Sequence, residues 1–201
     1  MKKDKILEAT LELAYEKGLG RVSMWQIAER AGLQKSSLYS HFSSKEEIVE
    51  KMYLYFREQA KNQNGNTETD YGKLVEGRFL REILTIVVNS YRRMNQNPQM
   101  DMFYRVIESE RFINKMAADV MVSETKTMIN ATKQLFYAIQ AKNIAEFPDP
   151  DGAAVSFAMG IHAILEYELD SQMAESSGAD GVMEQFIAEF SSRYQKEDHT
   201  L

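Results

Sequence analysis

The stretch Arg21–Lys45, RVSMWQIAERAGLQKSSLYSHFSSK, constrains this chain most, because it dictates two short helices joined by a tight turn. Ser23 and Gln26 have capping-box spacing: the Ser side chain takes an orphan N–H, and the Gln reaches back. Ile27, Ala28 and Ala31 share one apolar face, and Gly32 ends the helix where φ must turn positive. Leu33 follows, and Leu38 and Phe42, spaced i, i+4, supply the stripe of a second helix. Between them lie Gln34, Lys35, Ser36, Ser37, Tyr39, Ser40 and His41. Such a surface suits phosphate oxygens and base edges better than an apolar partner. The pattern is that of a helix-turn-helix.

The flanks support it. Residues 2–17 read as an amphipathic helix with Ile6, Leu7, Leu11, Leu13 and Ala14 on one stripe and Gly18 at C′. That stripe cannot be buried alone, so this helix and the helix-turn-helix form a three-helix unit. A second capping box, Ser44 with Glu47, starts a helix running to about Lys61. It is apolar on more than one side and is expected to join two packing environments.

Lys61–Asp70 is polar, with Gly and Asn turn formers, and reads as a loop. Helical spacing then runs from Leu74 to Met94, Gln99 to Glu110 and Arg111 to Ala145, before the break at Phe147-Pro148-Asp149-Pro150. Ala153–Met173 is apolar almost all round as far as Leu165, which predicts burial on every side. Val182–Tyr194 is a last amphipathic helix, and the tail Gln195–Leu201 is expected to fray. The fold class is all-α. A three-helix domain over 1–45 precedes a larger helical domain over 46–201.

Charge first argues against a nucleic-acid partner, since the net formal charge is −6. Dividing the chain reverses that. Residues 1–60 hold 10 Lys and Arg against 9 Asp and Glu, and residues 61–201 hold 14 against 21. Within 17–45 the basic residues Lys17, Arg21, Arg30, Lys35 and Lys45 face only Glu29. Sign asymmetry of this kind marks a nucleic-acid-binding segment attached to something else. With 0 cysteines and 3 scattered histidines, neither a disulfide nor a Cys- or His-based metal centre is expected, and no cofactor. The charged N-terminus does not resemble a secretory signal, and no run of 18 apolar residues indicates a membrane span, so a cytoplasmic location is expected.

Residues 5–48 resemble the N-terminal DNA-binding domain of the TetR family of transcriptional repressors. The matching features are Glu16-Lys17-Gly18, Ile27-Ala28-Glu29-Arg30-Ala31-Gly32, Ser37-Leu38-Tyr39, His41-Phe42 and Ser44-Lys45-Glu46-Glu47. Trp25 and Leu19 depart from it, standing where the family usually has a polar residue and an aromatic. By position in the motif the resemblance implies that Lys35, Ser36 and Tyr39 face the major groove, with Ser37 alongside. It places Ser23, His41 and Lys45 on phosphates. Trp25 reads as packed between helices or lying on the surface, with a contact to the DNA backbone as the alternative.

In the body, Met and aromatic side chains can line an adaptable apolar pocket or simply fill the core. The resemblance implies that some line an inducer pocket. The candidates are Tyr91, Met94, Phe103, Tyr104, Phe112, Met116, Phe136 and His162. His162, on the most apolar helix, also reads as a core or interface histidine. Phe157, Ile161, Ile164, Leu165, Met183, Phe186, Ile187 and Phe190 are the candidate dimer surface, with small residues such as Gly160 allowing close approach. Burial within one subunit is the alternative. The function expected is a sequence-specific, homodimeric repressor that a small-molecule effector releases from its double-stranded operator. The rivals are a transcriptional activator or a helical interaction protein on the same fold. An enzyme lacks support: no nucleophile–base pair, metal spacing or Gly-rich phosphate loop is present, and no catalytic residue is assigned.

Overall fold

The structure is a computed structural model describing the backbone of residues 2–63, 69–94 and 97–196, without the side chains of 61–63 and 94. Residues 64–68 of the expected loop Lys61–Asp70 and 197–201 of the tail Gln195–Leu201 lie outside the described residues, as does the Met94 side chain. The fold is all-α. Its helices are α1 (Lys2–Lys17), α2 (Met24–Arg30), α3 (Lys35–Tyr39), α4 (Lys45–Gln63), α5 (Tyr71–Val75), α6 (Leu80–Met94), α7 (Pro98–Glu110), α8 (Lys115–Ala141), α9 (Pro150–Met173) and α10 (Val182–Tyr194), with a 3₁₀ turn at Leu19–Arg21.

By compactness the chain forms two units, residues 1–67 with 94–124, and residues 68–93 with 125–201. The expected functional boundary at 45/46 is not the line between them. In the first unit α1 packs on α2, α4 and α7. Ile6, Leu11, Ile27, Leu38, Ile48, Met52 and Phe56 are all 0% exposed in one shared cluster. The reading segment is therefore not a free-standing three-helix body. It shares its core with α4 and α7, and each fully buried aliphatic side chain there contributes roughly 1.5–3 kcal/mol. Among the described residues, all the buried side chains of α4 serve this cluster, one packing environment where the sequence suggested two.

The second unit is built around rings. Phe136 stacks on Phe147 with centroids 4.4 Å apart, and Phe157, Phe190 and Tyr194 close the cluster around them. Arg92 Nε donates to Glu168 at 3.3 Å, and Arg92 Nη1 donates to Glu184 at 3.3 Å, tying α6 to α9 and α10.

Three expectations about the helices need correction. The Leu74–Met94 segment is two helices: Gly77 takes φ +69°, and the Glu82 carboxylate accepts from Phe79 N at 2.9 Å, starting α6 afresh. The segment Arg111–Ala145 starts only at Lys115, because the Asn114 side chain accepts from Met116 N at 3.0 Å as an N-cap. It ends at Ala141, ahead of Asn143 at φ 60°. Finally, α9 is not buried all round: Val155, Met159 and Tyr167 are exposed.

Candidate nucleic-acid interface

The turn geometry of the reading segment is fixed locally. Ser23 Oγ accepts from Gln26 N at 3.3 Å and Ser23 N donates to Gln26 Oε1 at 3.0 Å, the expected capping box. At the other end of α2, Gly32 has φ +67°, Leu33 N bonds Ala28 O at 2.8 Å, and Gly32 N bonds Glu29 O at 3.0 Å. That is a Schellman motif, which aims the chain into α3 after one extended residue, Gln34. The second cap differs from expectation. Glu47 N donates to Ser44 Oγ at 3.2 Å, but the Glu47 carboxylate accepts from Ser43 N and Ser43 Oγ, both at 2.7 Å. Those two hydrogen bonds hold the Glu47 carboxyl below the usual carboxylate range.

Helix α3 has one anchored side and one open side. Leu38 is 0% and the following Phe42 3% exposed, so the underside is locked in the core. Lys35, Ser36 and Tyr39 are exposed, with the Lys35 ammonium 5.9 Å from the centroid of the Tyr39 ring. These three, from adjacent turns, make the face that α3 presents to solvent. Ser37 and His41 are half-buried at its edge, and Ser37 O accepts from Ser40 Oγ at 2.8 Å. Ser23 is exposed at the start of α2, its hydroxyl engaged in its own cap. Lys45 is half-buried, its ammonium donating to Leu19 O at 3.2 Å and pinning the 3₁₀ turn to the start of α4.

The local charge is distributed differently from the sequence count. Arg30 is not an open cation: its Nη1 and Nη2 donate to Glu16 Oε1 and Oε2 at 2.8 and 2.7 Å, and Nη1 reaches Glu12 at 3.1 Å. This fork clamps α2 onto α1 and holds Glu16 below the usual carboxylate range. A depressed carboxylate stabilises the fold above its ordinary pKa and loses that contribution as pH falls through the lowered value. The clamp was missed in the sequence, although Glu12 and Glu16 stand i, i+4 on one face of α1. Arg21 and Trp25 are exposed, Trp25 at 58%, which puts it on the surface rather than between helices.

Residues 6–52 match the sequence profile of bacterial regulatory proteins of the tetR family. The N-terminal domain is a TetR-family domain. YvdT of Bacillus subtilis, an uncharacterized HTH-type transcriptional regulator, is 27% identical over 68% of this chain and 82% of its own. The flavonoid-responsive regulator FrrA is 25% identical with a TM-score of 0.63, covering 98% of each chain. GusR of Salmonella enterica has a TM-score of 0.63 at 21% identity over 95% of each chain. The chain thus has the fold of a TetR-family transcriptional regulator, with a helix-turn-helix in the first unit.

The other candidate residues separate. In the first unit, Phe103 and Tyr104 join Tyr53 and Phe56 in one aromatic layer, and Met116 packs against the same core. Burial, with the charge of Glu124, pushes the Tyr104 phenol up to about 12. In the second unit Phe136 is 0% exposed inside the ring cluster. Burial pushes the Tyr91 phenol up to about 12, and His162 Nε2 lies 3.6 Å from Glu166. Phe112, at 83% exposed beside Arg111, stands on the surface.

The proposed dimer residues divide too. Phe157, Ile161, Met183, Ile187 and Phe190 are buried within their own unit, whereas Ile164, Leu165 and Phe186 are half-buried. Gly160 serves the same internal packing: a Cβ there would sit 2.5 Å from Phe186 Cζ. Its missing side chain admits a ring of α10, where the sequence suggested close approach of a second subunit. Among the described residues no helix is long and apolar enough to cross a membrane, and no group of three or more His, Asp or Glu is placed to hold a metal.

Proposed function

We propose that this chain is a cytoplasmic, homodimeric repressor that reads its operator with α3 and leaves it when a small molecule occupies the helical body. The observation that carries the DNA reading is α3 itself, with Leu38 at 0% exposed beneath and Lys35, Ser36 and Tyr39 exposed above. A short helix held that firmly can be pushed into a major groove without shifting on its own core. Lys35 donates to guanine O6 and N7, and Tyr39 and Ser36 reach base edges or phosphates. Arg21 and Lys45 flank the face as phosphate contacts, with Ser23 and His41 at its margins.

Salt titration tests this reading. With about three phosphate contacts per subunit in a dimer, log K is expected to fall against log salt concentration with a slope of roughly −5. A slope near zero would remove the phosphate contacts from the account.

Dimerisation is supported by the open face of α9. Val155, Met159 and Tyr167 are exposed on a helix whose other side is packed into the second unit. Two-fold pairing there gives two copies of α3, matched to half-sites a helical turn apart. Met159→Asp is expected to yield monomers by sedimentation with the helical content of the parent. A variant that stayed dimeric would move the interface elsewhere.

Effector release is supported by the aromatic layer of the first unit. Arg57 Nε, next to the layer through α4, is buried without a hydrogen bond, its nearest ion-pair partner Glu124 being 4.0 Å away. An apolar wall with an unsatisfied donor is the composition of a small-molecule site. A ligand preferring one body conformation weakens operator binding by that preference and no more.

A further inference from the structure

A groove of about 450 Å³ opens in the first unit where the 3₁₀ turn, the start of α4 and the α7–α8 turn meet. Leu19, Val49 and Met116 form its apolar wall. Glu46, Glu50 and Glu110 line it with carboxylates, against the single ammonium of Lys45. That ammonium already donates to Leu19 O.

Acidic side chains on a surface groove mean little by themselves. Glu110 is different from the other two. It is 9% exposed, the last residue of α7, and among the described residues no hydrogen bond or ion pair satisfies its carboxylate. A second polar group of the same unit is also without a protein partner. The Tyr53 hydroxyl, on a residue 1% exposed, has no hydrogen-bond partner either. Burial and the charge of Glu110 together raise its pKa, which places the carboxylate and the phenol in electrostatic reach of each other. A carboxylate on a residue this buried, with no donor among the described residues, has only the groove itself to supply a compensating charge.

We propose that this groove binds a small organic cation, with Glu110 as its counter-ion and the Leu19–Val49–Met116 wall taking its apolar part. Thioether and aliphatic surfaces accept alkyl or aryl groups of varied shape, and the surplus of carboxylates rejects anions. The walls include the turn that Lys45 pins, so the occupant touches the elements that orient α2 and α3. Its effect on an operator rests on the DNA-reading proposal, whereas its binding does not.

The test is calorimetric and needs no DNA. Benzyltrimethylammonium is titrated into the full chain beside phenylmethanesulfonate, an anion of similar shape. The cation is expected to bind and the anion to give no measurable heat. Glu110→Gln is expected to weaken the cation on the order of tenfold, the worth of one partly buried charge–charge contact. If that variant fails to fold, the surface double variant Glu46→Gln with Glu50→Gln carries the test, with weakening of a few-fold expected. Backbone amide shifts on titration are expected at Leu19, Gly20 and Asn114, which border the groove. Equal affinity for both probes, unchanged affinity in the variants, or shifts confined to other helices would each overturn the proposal.

Discussion

Replacing Lys35 and Tyr39 together by alanine is expected to weaken specific operator binding about 1,000-fold or more, with the melting temperature of the parent retained. Two side chains on each of two subunits, each worth about 1–3 kcal/mol of base discrimination, set that scale. Both project from α3, and neither is needed by the core: Tyr39 is 47% exposed, and its one recorded aromatic contact is with the Lys35 ammonium. The measurement is a fluorescence anisotropy titration at fixed salt, against the parent site and a scrambled duplex. Loss should be confined to the parent site, because the variant keeps Arg21 and Lys45, the proposed phosphate contacts. Equal loss on both duplexes would reassign Lys35 and Tyr39 from bases to the backbone.

The second large effect is expected from Leu38→Ala. Leu38 is 0% exposed and is the sole fully buried side chain of the described α3 residues. Truncating a buried leucine removes transfer free energy and leaves a cavity, about 2–5 kcal/mol in total. The reading segment shares its cluster with α4 and α7, so the loss should fall on the whole first unit and not on α3 alone. Urea unfolding followed by far-UV circular dichroism measures it. A shift below about 0.5 kcal/mol would mean that α3 rests loosely on its base, contrary to the firm anchor argued above.

These two variants divide the helix into its face and its root, and that division was legible in the sequence. Leu38 and Phe42 stand i, i+4 among polar neighbours, and only one arrangement buries both. The capping pair Ser23–Gln26 and the turn at Gly32 were legible for a similar reason. Each is decided within six residues, by a side chain that must reach a nearby N–H or by a φ that only glycine adopts freely.

What the pattern left open lies at longer range. A stripe announces that a helix face is buried but not against what, so Phe157, Met183 and Phe190 read equally well as interface or core. Only packing of α9 on α10 around Phe136 assigned them to the core. The reverse held for Met159 and Val155, which a uniformly apolar helix hid among buried neighbours. Arg30 counted as basic until Glu16, 14 residues earlier, took both arms of its guanidinium. Gly77 splits a stretch whose apolar spacing continues unbroken through it, because side-chain periodicity carries no record of one backbone angle. Glu110 gave no sequence signal at all, since an acidic residue ending a helix reads as solvated.

The central claim is that α3 reads DNA as one half of a symmetric pair. Selection from a pool of random duplexes tests it most directly, with the parent protein and the Lys35→Ala, Tyr39→Ala variant run side by side. The parent is expected to enrich an inverted repeat whose half-sites lie about 34–36 Å apart or a multiple of it, and the variant to enrich none. Enrichment of the same repeat by both proteins, or of single unpaired sites by the parent, would contradict the account.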